Sequence, residues 1–259
     1  MTVTLAALQD FLTRELALSV WPFFRVAGVL MVAPVVGARL VPARVRIALA
    51  VAVTVVIAPL VPAAPPLAPS LVTVLLLVQE VLLGAAIGMC LQMVFDALII
   101  AAETIAMSVG LGFATMVDPQ RGVTVPVLGQ FFVILGTLIF LSLGGHLALL
   151  ELIAGSFATA PIGVPFTAAG AFALVAFGTE MFAGAVRIAL PAITALLVVN
   201  AALGVTSRAA PQLNLFAVGL PLGMLLGFAI ILLNLENLAA LTAELLEAAF
   251  AAAGGILAP

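Results

Sequence analysis

Charge is scarce in this chain. Only 7% of its 259 residues are charged, and all eight basic residues are arginine. A soluble domain carries roughly 25% charged residues. Hydrophobic residues make up 66% of the chain, too many to hide in one core, so the composition is that of an integral membrane protein. A net charge of −3 supplies no basic field and excludes nucleic acid as an electrostatic partner. Tyrosine is absent and Trp21 is the only tryptophan. Cys90 is the single cysteine, so no disulfide forms within the chain. It reads as a small apolar helix residue. His146 is the single histidine, which leaves a metal site or an acid–base pair without company. HExxH, CxxC, GxSxG, Walker A and Asp-rich diphosphate motifs are all missing. No catalytic set, cofactor or metal site is expected, and His146 beside Gly144 and Gly145 reads as a hydrogen-bonded helix-end residue. The first residues, MTVTLAALQDFLTREL, lack a basic n-region and carry Asp10 and Glu15. They do not resemble a cleavable signal peptide.

What the chain has in plenty is apolar helix. A bilayer span takes about 20 apolar residues, and six segments qualify: 16–37, 43–61, 70–109, 126–157, 168–199 and 212–250. The last four are overlong. A forty-residue helix reaches about 60 Å at 1.5 Å per residue, twice the hydrocarbon thickness. They must kink, project beyond the bilayer, or divide into shorter pieces. Pro191 and Pro221 offer kink points, because each removes a helical hydrogen bond. The connections are a basic turn at 37–44, a proline-rich linker at 59–70, a glycine-broken stretch at 110–125, a Pro/Gly turn at 158–167 and a polar hairpin tip at 200–212. With six spans, the loops holding Arg39, Arg44, Arg46, Arg121 and Arg208 share one side, and Arg14 stands alone on the other. The positive-inside rule then places those loops in the cytoplasm and both termini outside.

Polar residues inside the apolar runs are few enough to weigh singly. Glu80, Gly84, Gly88, Gln92 and Asp96 recur every four residues, and Glu103 follows seven later. The stripe is either a polar groove facing a lumen or partner, or a helix-packing seam whose small residues allow close approach. Carboxylates at that depth need partners in either case. Gly219, Gly223 and Gly227 form two overlapping GxxxG patterns, an intimate helix-packing face. Glu236, Glu244 and Glu247 alternate with leucines, an amphipathic pattern suited to an interface. Arg25 and Arg187 lie in apolar runs and must pair, snorkel or face water. Arg187 follows Glu180 by seven residues, about 10 Å along a helix, so a partner on another helix is the better expectation.

The stretch GLGFATMVDPQRGVTVP (110–126) has two characters. Asp118-Pro119 turns the chain, and Thr124 and Pro126 suit the start of a helix. Leu111 to Val117 is apolar, with glycine hinges at Gly110 and Gly112. Non-helical backbone at membrane depth is tolerated only inside protein or beside a water cavity. The stretch is either a static turn or an apolar element that fills a cavity and moves.

These residues resemble a known family. GLGFATMVDPQ (110–120), GQFFVILGTLIFLSLGGHLALLELIAGSF (129–157) and LPAITALLVVNAALGVTSRAAPQLNLFAVGLPLGMLLG (190–227) are similar to the FliR family of flagellar export proteins and its type III secretion homologues. Arg25, Gly28, Pro34, Pro42 and Arg44 fit as well. The likeness covers almost the whole chain, and its most specific parts are the Asp-Pro loop and the hairpin tip with Asn200, Arg208, Pro211 and Gln212. It departs at Gly144, where Asn is expected.

The resemblance implies an all-α membrane protein of long, kinked hairpins, with 1–167 similar to FliP and 168–259 to FliQ. It implies a non-enzymatic inner-membrane subunit of the flagellar basal body. Its partners would be FliP, FliQ, FlhB and FlhA, within membrane lipid, in a gate for unfolded flagellar subunits. Gly110, Leu111, Gly112, Phe113, Met116, Val117, Asp118 and Pro119 would plug the closed channel. A virulence-type secretion subunit is the near alternative. A secondary transporter, with a discontinuous helix at 110–125 and Glu80, Asp96 or Glu103 as proton carriers, is the distant one.

Overall fold

The computed structural model describes residues 18–38, 41–61, 65–110, 127–209 and 219–257. Regular structure in these residues is helical throughout. The helices are α1 (Leu18–Val32), α2 (Ala43–Ile57), α3 (Leu71–Val109), α4 (Val127–Ser142), α5 (Gly145–Thr159), α6 (Ala168–Ala209), α7 (Leu220–Leu233) and α8 (Leu235–Ile256), with a 3-10 turn at Ala58–Leu60. Four stretches are long and apolar enough to cross a membrane: Ala43–Leu60, Leu71–Val109, Ala168–Thr206 and Leu235–Ile256. The pair α4 and α5 makes a fifth if it counts as one broken span. The all-α membrane architecture expected from composition is the one found.

The overlong segments resolve in two ways. The third stays one helix of 39 residues. The fifth not only stays whole but runs to Ala209, 42 residues in all, with Pro191 inside it. Asn200 and Arg208 are therefore helical, a correction to the expected loop at 200–212. The cause is local. Residues 200–209 are alanine-rich, Arg208 suits the negative end of the helix dipole, and Pro211 restricts the residue before it. Pro211 and Gln212 themselves lie outside the described residues. The fourth and sixth segments divide. Gly144 (φ 71°) separates α4 from α5, and Asn234 separates α7 from α8. Pro221 does not kink a helix, as its spacing suggested. It stands in the first turn of α7, where its missing N–H has no helical acceptor to lose. The first segment closes early as well. Pro34 disfavours continuing the helix because it restricts the residue before it and has no N–H to donate; α1 ends at Val32, and the turn after it carries Val35 at φ 70°.

The chain forms two compact units: Met1–Met93 with Gly144–Gly178 and Glu247–Pro259, and Val94–Leu143 with Thr179–Leu246. The first unit buries Trp21, Val26 and Val29 of α1, Leu83, Ile87 and Leu91 of α3, Ile153 and Phe157 of α5, and Ala249 and Ala253 of α8. The Trp21 indole N–H donates to the Pro65 carbonyl at 2.9 Å and holds the proline-rich linker on α1. The second unit closes on a purely apolar cluster. Leu98, Ile105 and Val109 of α3 meet Phe132 of α4, Ile188, Ala192 and Leu196 of α6, Ile231 of α7 and Leu238 of α8.

Candidate functional site

The first unit holds one polar centre. Arg25 of α1 and Glu80 of α3 are both 0% exposed and form the one ion pair among the described residues. The Arg25 Nε–H donates to Glu80 Oε2 at 2.7 Å. Its Nη1 donates to the Ser156 carbonyl at 2.9 Å and to Ser156 Oγ at 3.1 Å. Its Nη2 donates to the Ala160 carbonyl at 2.9 Å. The guanidinium carbon lies 4.1 Å from the centre of the Phe157 ring, a cation–π contact. Those carbonyls belong to the end of α5, where a helix leaves acceptors unpaired and its dipole is negative. Arg25 thus caps α5 from another helix while Glu80 balances its charge. A planar five-donor fork can do this; a lysine ammonium cannot reach the same set. Glu80 Oε1 has no hydrogen-bond partner among the described residues.

The glycines beside this centre make the pairing possible. A methyl group at Gly84 would overlap the Arg25 carbonyl, and one at Gly28 would overlap the Val81 carbonyl. A methyl at Gly88 would stand 2.8 Å from the Val29 carbonyl. The backbones of α1 and α3 therefore touch, which small residues permit. Gln79 adds a hydrogen bond from its side-chain amide to the Val164 carbonyl in the turn after α5.

The other residues singled out in the sequence lie apart from this centre. Asp96 is half-buried and Glu103 is exposed, both on the α3 stretch of the second unit. Glu80 does not open onto a groove, because it is sealed against Arg25. Gly219 precedes α7, and Gly227 faces Val109, whose Cγ2 would lie 2.7 Å from an added methyl group. Gly223 has no neighbour within 4 Å of that position. Gly110, the first residue of the stretch expected to plug the channel, ends α3 at φ 90°, a glycine conformation. Leu111, Gly112, Phe113, Met116, Val117, Asp118 and Pro119 lie outside the described residues. Arg187 and Glu180 are exposed on α6. The expected partner for Arg187 on another helix is not found among the described residues. His146 is exposed at the start of α5, and Cys90 is buried. No cluster of metal-ligating side chains occurs among the described residues.

Sequence reasoning treated Arg25 and Glu80 as separate questions and missed that they answer each other. The signal was available. Two opposite charges in apolar segments must find partners, and few candidates exist. Ser156 and Phe157 carried no such signal, since a serine and an aromatic in a helix are ordinary. Gly144, where the resemblance leads one to expect Asn, occupies a left-handed conformation at φ 71°. Asn and Gly are the residues that adopt it readily, so the exchange keeps the break between α4 and α5.

Residues 16–249 match the family described as Bacterial export proteins, family 1. Curated relatives agree. The chain is 37% identical to the flagellar biosynthetic protein FliR of Escherichia coli (strain K12), over 81% of each chain. It is 38% identical to the FliR of Aquifex aeolicus, over 82% of this chain and 83% of that one. It is 31% identical to the FliR of Bacillus subtilis, over 90% of this chain and 94% of that one. With the match running through nearly every described helix, the chain belongs to family 1 of the bacterial export proteins.

Proposed function

We propose that the chain is an inner-membrane subunit of the flagellar protein-export gate, and that 110–125 plugs the closed channel. The observation that carries the reading is the family match together with relatives named as flagellar biosynthetic proteins. Several apolar helices of spanning length support a membrane site. The flagellar names favour a flagellar over a virulence-type system. In this reading 1–167 works as the FliP-like part and 168–259 as the FliQ-like hairpin. FliP, FliQ, FlhB and FlhA are its neighbours, unfolded flagellar subunits are its cargo, and both termini face the periplasm. The chain contributes shape and a seal rather than catalysis.

The plug follows from position and composition. Helix α3 stops at Val109, and Gly110 turns the chain out of helical geometry. The next residues, Leu111 to Val117, are apolar and glycine-hinged. Such a segment is stable beside a cavity or against protein, not as a water-facing loop. Methionine and phenylalanine supply the soft bulk that seals a pore. Deleting residues 110–122 leaves the gate assembled and makes resting cells leak ions. Patch or dye-flux measurement on the deletion strain checks this. A gate that stays as tight as wild type sinks the plug.

A further inference from the structure

We propose that the groove between α1 and α2 holds an acyl chain of an anionic phospholipid whose phosphate sits on Arg44. The proposal depends on the membrane placement of the chain and not on its role in export. Val20, Phe23 and Phe24 of α1 and Val51, Thr54 and Val55 of α2 line a groove of about 440 Å³ in the first unit. Ligand sites occupy roughly 300–1,000 Å³. Phe23 and Phe24 meet edge to face at 5.7 Å, so the α1 wall is aromatic. The Thr54 hydroxyl is already used, since Oγ1 donates to the Ala50 carbonyl at 2.6 Å. Ser19, the other hydroxyl in the lining, is engaged as well. The groove thus offers contact to hydrocarbon rather than to a polar ligand. Arg44 heads the same stripe of α2. Val51 and Val55 follow it by seven and eleven residues, within about 20° of its direction and about 10 and 16 Å along the axis. Arg44 is exposed and has no ion-pair partner among the described residues, and α2 carries no acidic residue.

Depth and charge together select the occupant. Ala43–Leu60 has 18 residues, about 27 Å at 1.5 Å per residue, close to the hydrocarbon thickness of about 30 Å. Arg44, one residue from the start of that span, stands at the edge of the hydrocarbon, where lipid phosphates lie. Val51 and Val55 then fall within one leaflet of it, roughly 15 Å deep. A phosphate on Arg44 and an acyl chain in the groove are the two ends of one molecule. A small anion satisfies Arg44 and leaves the groove empty; an uncharged apolar solute does the reverse. A protein helix, about 10 Å across, is too wide to enter a groove of this volume over that length, whereas a single extended chain fits. A zwitterionic lipid carries an ammonium beside its phosphate and is drawn less strongly to a cation than an anionic one.

The test uses the full chain purified in mild detergent and titrated with phosphatidylglycerol or phosphatidylcholine of the same chain length. Native mass spectrometry counts the lipid retained. Wild type should prefer phosphatidylglycerol by about fivefold, the effect of one arginine at an anionic surface. Arg44→Gln should bring the two lipids to parity. Arg208→Gln, which removes an exposed arginine elsewhere, should leave the preference intact. Trp21, the only tryptophan, is buried and next in the chain to Val20 of the groove, so it reports where the lipid sits. In vesicles, phosphatidylglycerol brominated on its acyl chains should quench Trp21 in wild type. Val55→Phe fills the groove from an exposed position and should halve that quenching while the chain melts as before. Equal retention of the two lipids, a preference that survives Arg44→Gln, one that Arg208→Gln abolishes as well, or quenching unchanged by Val55→Phe each overturn the site. So does the absence of any retained lipid, which would mean that the chain itself or another protein fills the groove. None of these outcomes bears on the export reading, which the leak measurement tests.

Discussion

Two glycine ladders look alike on paper and behave differently in the two units. Gly84 and Gly88 of α3 lie against the backbone of α1, and Gly28 of α1 answers them. Their missing side chains are occupied space: a carbonyl stands where a methyl group would be. Gly219, Gly223 and Gly227 have the more regular spacing. Gly227 meets a close neighbour, the Val109 side chain, while an added methyl at Gly223 has none within 4 Å among the described residues. A GxxxG pattern therefore records permission for close approach, and the approach happens only where something else draws the helices together. In the first unit that something is the Arg25–Glu80 pair, which lies at the same crossing. The second unit has an apolar cluster instead, where Gly227 meets a side chain rather than a backbone carbonyl.

Breaking the ion pair tests this contrast most sharply. Arg25→Met leaves Glu80 buried and uncompensated, at a cost of about 3–5 kcal/mol. The double variant Arg25→Met/Glu80→Met should recover most of that loss, because two apolar side chains need no partners. Thermal unfolding of the detergent-solubilised chain reads both. If the single and double variants melt together, the pair is not what holds α1 on α3. A smaller loss is expected from Gly84→Ala, where the added methyl overlaps a backbone carbonyl that cannot rotate away. Overpacking of this kind costs roughly 1–3 kcal/mol, and hydrogen exchange along α1 should quicken with it. Unchanged exchange would mean that the backbones do not need to touch. The smallest effect belongs to Gly223→Ala. With no neighbour within 4 Å, the isolated chain gains the helix propensity of alanine over glycine, about 0.8–1.0 kcal/mol. A drop in melting temperature would show an unseen contact at Gly223 and erase the difference between the ladders.

Legibility varied with the range of the interaction. Helix was readable because membrane backbone must satisfy its own hydrogen bonds. Non-helical connections were readable where proline or glycine crowd together, as at 65–70 and 160–167. Helix ends were less so. The reach of α6 through Asn200 to Arg208 was hidden by Asn200, Gly204, Thr206 and Ser207, weak helix formers that the structure nonetheless keeps in the helix. The two positions that divide helices, Gly144 and Asn234, are single residues whose effect depends on a local backbone conformation. Pro221 carried the right warning with the wrong consequence, since a proline starts a helix as readily as it bends one.

The sequence by itself determined that this chain belongs in a membrane, that its elements are helices, and which family it joins. Those follow from composition, from backbone hydrogen bonding and from motifs read along one dimension. Only the tertiary structure decided which polar residues belong together. Arg25 meets Glu80 across 55 positions and Ser156 across 131, and no periodicity links residues so far apart. It also left Arg187 exposed without an ion-pair partner among the described residues. The physical reason shows in the Arg25–Glu80 pair. A buried or membrane-embedded charge must be matched, and the match is made by whichever element packs against it.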